Sequence, residues 1–177
     1  MKRYLFIHLA LLVSFFILIT LAKGWLNILY IPFWIGGLLG AFLPDLDYVI
    51  HHYFLKTTQT PSVDVLVTDM TSKNIVNNWS EAADNRDNKK LIFHTVHFQL
   101  IFVLFAFFVL TSSGSLLGRG IVLAFLLHLF VDEVIDWRYK HSIDSWFAKI
   151  PYELDQRQKK WYLIINGVLL LVFGFLF

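Results

Sequence analysis

The stretch WLNILYIPFWIGGLLGAFLPDLD, residues 25–47, decides how the chain is organised. Its first nineteen residues carry no charge, and this run ends at Pro44, which is followed by Asp45 and Asp47. Spanning a bilayer takes about 17 to 25 predominantly apolar residues in one helix. The stretch therefore predicts a transmembrane helix over 25–43 that delivers two carboxylates to one membrane surface.

The composition supports a membrane protein and excludes several other classes. The chain has 177 residues, enough for one domain, of which 57% are hydrophobic, 18% aromatic and only 16% charged. The formal net charge of +2 is too small to indicate nucleic-acid binding. Cysteine is absent, so neither a disulfide framework nor a thiolate metal site can form.

Four further apolar stretches have similar lengths, and together they predict an all-α fold, a polytopic membrane helix bundle with about five transmembrane helices. The predicted spans are 4–22, 25–43, 91–111, 116–135 and 161–177. The first could be a signal peptide, but its apolar core is longer than such a peptide needs, so we expect a retained anchor. Apolar residues at helical spacing predict amphipathic helices in the 44–90 loop, and the 136–160 loop is a second polar stretch.

The positions of the basic residues predict the orientation of these helices. If all five segments span and the N-terminus is cytoplasmic, only Lys23 and Arg119 of the 15 Lys and Arg residues lie outside. Cytoplasmic loops carry the excess of Lys and Arg. The sequence therefore predicts a protein of the cell (inner) membrane with its N-terminus in the cytoplasm and its C-terminus outside.

This topology places ionisable side chains from four helices near the cytoplasmic surface. An ionisable residue inside a membrane usually faces the bundle interior and has a partner there. His128 and Asp132 are four residues apart and so share a helix face, and the spacing of His94 and His97 predicts the same for that pair. Pro44 disfavours a helical Leu43 and could turn both aspartates inward. The candidate metal ligands are His8, Asp45, Asp47, His94, His97, His128 and Asp132.

Imidazole and carboxylate ligands together suit a divalent metal, zinc first, with manganese or iron as alternatives. A catalytic zinc site keeps one position open for water, which then ionises near neutral pH and attacks an ester. Asp47 or Glu133 could act as the general base. The expected function is thus metal-dependent hydrolysis at the cytoplasmic leaflet, and the depth of the site suggests a lipid-like ester or phosphoester as substrate and membrane lipid as partner.

Three sequence elements carry a family resemblance: His8 early in the first helix, Pro44-Asp45-Leu46-Asp47, and His128 with Asp132 in a His-x-x-x-Asp pattern. In this order they resemble the inner-membrane-associated metal-dependent hydrolases, some of which are LexA-regulated. The resemblance covers most of the first 136 residues and implies a small multi-helix membrane protein with a metal site. The family's His-Arg…Thr-His-Ser element differs here, since residues 93–98 read FHTVHF.

Two other classes of function remain open at this stage. A cation or proton transporter would need polar groups that continue to the outer face, where only Thr20, Asn27, Gln99, Thr111 and Asn166 are candidates. A non-catalytic membrane scaffold would use the polar cluster only to fix helix packing, and it would bind no metal. Gly36 and Gly40 also predict close helix packing, and Pro32 predicts a kink in the second helix.

Overall fold

The computed structural model describes residues 2–47, 92–152 and 154–176, and this part of the chain is all-α. It contains five α-helices and one short 3-10 helix, with no β-strand among the residues described. The helices are α1 (Lys2–Ala22), α2 (Ile31–Phe42), α3 (Val96–Ser112), α4 (Leu116–Lys140) and α5 (Gln156–Leu176), and the 3-10 helix is η1 (Ile28–Tyr30). The predicted all-α class is therefore confirmed.

The connection between α1 and α2 differs from the prediction. Gly24 has a φ of +66°, a left-handed conformation that glycine adopts without strain, and it reverses the chain after α1. Asn27 then caps η1 by accepting a hydrogen bond from the backbone N–H of Leu29. Pro32 lies in the first turn of α2, where its missing N–H is not needed. The expected proline kink is wrong, because the helix begins at Ile31 and the proline lies in its first turn, not in its interior.

Helix α2 packs against α4 through glycines that allow the two backbones to touch. A Cβ atom added to Gly40 would lie 2.2 Å from the carbonyl oxygen of Ile121, and one added to Gly36 would lie 2.1 Å from that of Leu117. Gly120 of α4 makes the reciprocal approach to the carbonyl oxygen of Phe33. Only residues without a side chain permit such contacts. The close packing predicted from Gly36 and Gly40 is thus present, with α4 as the partner helix.

Helix α4 is longer than the predicted span 116–135. Ser115 caps its first turn by accepting a hydrogen bond from the N–H of Gly118. The helix continues to Lys140 and ends at His141, which adopts the left-handed conformation with a φ of 53°. Asp132, Glu133 and Asp136 therefore lie within the helix, and the polar stretch predicted to start at residue 136 starts after residue 140.

The five described helices enclose a large apolar core, and the bundle has two distinct ends. Phe16, Ile19, Phe33, Leu110 and Ala124 are among the buried core residues. One end of the bundle brings together Lys23, Arg119 and Gly174. At the other end His8, Asp47, His94, His128 and Asp132 meet, so α1, α3 and α5 run opposite to α2 and α4.

The outward faces of the helices are apolar. Exposed large apolar side chains include Leu18 on α1, Leu39 on α2, Leu104 and Phe108 on α3, and Ile165 on α5. Within the residues that the structure describes, no helix is both long enough and apolar enough to cross a membrane. The amphipathic helices predicted for residues 44–90 lie almost wholly outside the described residues.

Candidate metal centre

Asp132 of α4 is the centre of the polar group. Its side chain is buried and contacts three imidazoles: His8 Nε2 lies 3.2 Å from Oδ1, His94 Nε2 lies 3.1 Å from Oδ2, and His128 Nε2 lies 3.4 Å from Oδ2. His128 reaches Asp132 because a spacing of four residues stacks the two side chains on one helix face. One carboxylate is thus surrounded by imidazole nitrogens from α1, α4 and the segment before α3.

His94 is held in place by the start of α3. Thr95 is the N-cap of that helix, and its hydroxyl accepts a hydrogen bond from the N–H of Phe98. His94 therefore precedes the helix in an irregular segment, with its ring fully buried and 5.4 Å from the ring of Trp146. Its Nε2 faces Asp132, while its Nδ1 lies 3.7 Å from Asp47 Oδ2.

His8 enters the group from α1. Its ring centroid lies 4.5 Å from that of His128, and its side chain is 10% exposed. Both imidazoles contact the carboxylate of Asp132, so a single ion could bind to both rings. His8, His128 and Asp132 each offer one ligand atom within 4.8 Å of the others, which is a group that could hold a metal ion.

A tight turn after α2 brings in the two aspartates. Leu43 stays helical, with φ −59° and ψ −42°, so the expectation that Pro44 would force it out of the helical region is wrong. The turn instead contains the proline: the N–H of Leu46 donates to the carbonyl oxygen of Leu43 at 3.1 Å, and the N–H of Asp47 donates to that of Pro44 at 3.2 Å. Asp45 Oδ1 then lies 3.5 Å from His128 Nε2, and Asp47 Oδ2 accepts a hydrogen bond from the N–H of Phe93.

His128 has its two ring nitrogens in different environments. Nδ1 lies 2.6 Å from the carbonyl oxygen of Ala41 in α2. A carbonyl oxygen can only accept, so Nδ1 carries the proton and a neutral ring presents its lone pair at Nε2. Nε2 is buried and has no hydrogen-bond partner among the described residues, although Asp45 and Asp132 lie within 3.5 Å. Such a backbone contact is typical of the outer partners that orient metal-binding histidines.

Two of the predicted site residues are not brought into this group. His97 lies in the first turn of α3 and is exposed, because the helix starts at Val96 and His94 is not on its face. Glu133 is fully buried but follows Asp132 directly, and consecutive helical residues point about 100° apart. Its Oε2 accepts a hydrogen bond from Asn166 of α5, on the other side of α4.

Two residues near the centre were not predicted as part of it. Trp146 is fully buried and donates a hydrogen bond from Nε1 to Asp136 Oδ2 at 3.0 Å. Its carbonyl oxygen also accepts from the N–H of Val96. Trp146 therefore ties the segment after α4 to the start of α3, next to His94. The contact of the Ala41 carbonyl oxygen with His128 could not be predicted, because every residue has a backbone carbonyl and the sequence does not show which one is used.

Comparison with protein-family models, with curated proteins and with solved structures found no significant match.

Proposed function

We propose that the protein is a membrane-embedded metal-dependent hydrolase. The observation that carries the proposal is that His8, His94 and His128 all contact Asp132. In addition, Nδ1 of His128 contacts the backbone carbonyl oxygen of Ala41. This contact leaves the lone pair of a neutral ring at Nε2, and metal-binding histidines usually have such an outer partner. The resemblance of His8, Pro44–Asp47 and the His-x-x-x-Asp pattern to inner-membrane hydrolases points to the same class.

The donor set fits a transition metal. Two imidazole nitrogens and one carboxylate oxygen, from His8, His128 and Asp132, match the three protein ligands of a catalytic zinc site, and His94 is near enough to be a fourth. Manganese or iron would accept the same ligands. A divalent ion bound here would supply a Lewis acid and an ionised water for attack on an ester or phosphoester.

The two aspartates after α2 have different roles in this proposal. Asp47 is 2% exposed and its Oδ2 is bonded to the Phe93 N–H and faces His94 Nδ1, so it orients His94. The Asp45 side chain is 29% exposed and lies beside His128 Nε2, so it has access to both water and the metal group. We assign Asp45 as the group that accepts a proton from the attacking water.

A membrane environment is supported by the surface of the bundle. Monomeric soluble proteins rarely expose contiguous apolar patches above a few hundred Å². Here the outward faces of α1, α2, α3 and α5 carry exposed Leu, Ile and Phe side chains, while the candidate metal centre lies at the end of the bundle that includes the start of α1. The proposed substrate is a lipid-like ester or phosphoester at the cytoplasmic leaflet.

The experiment is a turnover assay with zinc-loaded protein in detergent, using fluorogenic short-chain carboxylester and phosphodiester substrates in mixed micelles. Asp132→Asn should lower kcat/KM by about 100-fold, since it removes a ligand, and Asp45→Asn should lower kcat with little change in zinc content. The matched control is His97→Ala, which removes an imidazole that is outside the group. Equal turnover by the wild-type protein and Asp132→Asn would refute the proposal.

A metal-free scaffold is the second candidate, and one observation favours it. The direct 3.1 Å contact between His94 Nε2 and Asp132 Oδ2 pairs these two atoms without an ion. In this case alanine at Asp132 would lower stability but change neither turnover nor metal content, because no ion would be bound.

A further inference from the structure

Trp146 connects the candidate metal centre to the segment that follows α4. The helix ends at His141, and the chain then turns so that Trp146 lies beside the start of α3. The indole of Trp146 is fully buried, and its ring centroid lies 5.4 Å from that of the His94 imidazole, with an angle of 57° between the ring planes. Two rings at this distance are in packing contact. The His94 ring therefore packs directly against Trp146.

Hydrogen bonds fix Trp146 at its side chain and at its backbone. Nε1 donates to Asp136 Oδ2 at 3.0 Å, and the carbonyl oxygen accepts from the N–H of Val96 at 3.2 Å. Asp136 is itself buried, and its Oδ1 lies 2.9 Å from Nζ of Lys140, one turn further along α4. A buried indole with both of these bonds has little freedom to change its orientation.

The contacts of Trp146 and His94 lead back to the same face of α4. Asp132 and Asp136 are four residues apart and share that face. Asp136 accepts the hydrogen bond of Trp146, and Asp132 Oδ2 lies 3.1 Å from His94 Nε2. Asp47 and Asp132 contact the two ring nitrogens of His94, whereas Trp146 contacts the ring itself. Because His94 precedes the N-cap of α3, its orientation depends on these neighbours and not on a helical backbone of its own.

We propose that Trp146 is a positioning residue of the candidate metal centre, which holds the His94 imidazole with Nε2 towards Asp132 and the ion bound there. This inference rests on the proposed function, because it requires an ion at Asp132. A purely structural Trp146 would contribute to stability alone. A positioning residue also sets the metal affinity, and it does so only while His94 is present.

The test is a competitive zinc titration against a fluorescent chelator, with the detergent-purified full chain. Trp146→Phe should raise the dissociation constant for zinc by about tenfold, within the range of about 10- to 100-fold that outer partners of metal ligands contribute. The reason is that the smaller ring loses its bond to Asp136 and no longer holds His94 in place. The matched control is Trp161→Phe, which makes the same change at an exposed position and should leave the zinc affinity unchanged.

Two comparisons separate positioning from a general loss of stability. His94→Ala keeps the group formed by His8, His128 and Asp132, and in this background Trp146→Phe should change the dissociation constant by less than about twofold. Asp136→Asn keeps an oxygen that can accept from the indole, whereas Asp136→Ala removes it, so only the alanine variant should match Trp146→Phe. Thermal unfolding of each variant shows whether it is folded.

The outcomes distinguish this inference from the proposed function. Equal zinc affinity of the wild-type protein and folded Trp146→Phe would overturn the inference and leave the proposed function intact. An equally large effect of Trp146→Phe with and without His94 would do the same. Failure of the folded wild-type protein to bind zinc would overturn the proposed function and this inference together.

Discussion

At the scale of single residues, His128 is the best-defined member of the candidate metal centre. One ring nitrogen contacts the carbonyl oxygen of Ala41, and the other faces Asp45 and Asp132. The first contact fixes the tautomer, and the second fixes where the lone pair points. An imidazole held in this way needs little reorganisation when an ion binds.

Trp146 provides a residue-scale prediction about stability. Trp146→Phe keeps most of the buried ring volume but removes the hydrogen bond from Nε1 to the buried carboxylate of Asp136. We expect the free energy of unfolding to fall by about 1–3 kcal/mol, because a buried acceptor loses a donor. Denaturant titration of the detergent-solubilised protein measures this value.

The control for that measurement is Trp161→Phe, since Trp161 is 55% exposed. We expect this change to shift the free energy of unfolding by no more than about 0.5 kcal/mol. Equal losses in the two variants would mean that the contact between Trp146 and Asp136 contributes nothing specific.

Residue spacing predicted part of the candidate site and misplaced the rest. His128 and Asp132 share a helix face whenever α4 is regular, so their proximity follows from the sequence. The sequence did not show which of His94 and His97 joins the group. That depends on Thr95 acting as the N-cap of α3, which leaves His94 outside the helix. Glu133 was predicted as a possible general base at the metal site, but adjacent helical residues face different neighbours, and its carboxyl group contacts Asn166.

At the scale of the elements, the contact of α2 with α4 positions the turn that carries Asp45 and Asp47. We expect Gly40→Ala to push the two helices apart, because its Cβ would lie 2.2 Å from the Ile121 carbonyl oxygen. The loss of stability should exceed about 1 kcal/mol, and zinc affinity should fall because Ala41 and Asp45 move away from His128. Thermal unfolding and zinc titration measure the two effects.

Gly118→Ala is the matched control on α4. A Cβ at Gly118 would meet nothing closer than the Ser115 Oγ at 3.5 Å, an ordinary contact. Since alanine favours a helix over glycine by up to about 1 kcal/mol, we expect unchanged or increased stability. Equal effects of the two substitutions would contradict a direct backbone contact between α2 and α4 at Gly40.

The start of α5 provides a prediction about pH. The Lys159 ammonium donates a hydrogen bond to Asp144 and holds the pKa of that carboxyl below its usual range, with a further contribution from Ser142. A lowered native pKa stabilises the fold above the unfolded pKa of about 4, and this stabilisation disappears as the pH falls through the native pKa. Because Asp144 is 64% exposed, the contribution is small, below about 1 kcal/mol.

The corresponding measurement compares the unfolding temperature of the wild-type protein with that of Asp144→Asn at pH 6 and at pH 3. We expect the wild-type protein to be slightly more stable at pH 6 and the difference to become smaller at pH 3. A difference that grows on acidification would contradict the assigned direction of the pKa shift.

The helix ends show why element boundaries were harder to predict than the helices themselves. Apolar runs identified the five α-helices of the part of the chain that the structure describes. Pro32 was expected inside a helix, but it lies in the first turn of α2, where proline is tolerated. The end of α4 was expected near Ile135, yet buried contacts of Asp132, Glu133 and Asp136 allow the polar residues to remain helical.

At the scale of the whole molecule, the outward faces of the helices are apolar, and only one end of the bundle carries the candidate metal centre. This arrangement leads to a prediction about orientation. The chain has no cysteine, so single cysteines can be introduced without interference. Ala148→Cys lies on the side of the candidate metal centre, and Ser112→Cys lies at the opposite end of α3; both positions are exposed. In intact bacterial cells that express the protein, a membrane-impermeant maleimide should label only Ser112→Cys.

Permeabilising the cells should make Ala148→Cys reactive to the same reagent. Labelling of Ala148→Cys and not Ser112→Cys in intact cells would reverse the proposed orientation. Equal labelling of both positions in intact cells, or recovery of the protein without detergent in the soluble fraction, would contradict a membrane location.

The central claim is that side chains from separate helices form one metal site around Asp132, and metal content tests it most directly. The wild-type protein, purified in detergent without chelator and supplied with zinc, should retain about one ion per chain, while His128→Ala and Asp132→Ala retain almost none. His97→Ala should retain as much as the wild-type protein, because His97 is exposed and outside the group. A folded wild-type protein without stoichiometric metal, or equal loss in His97→Ala, would contradict the account.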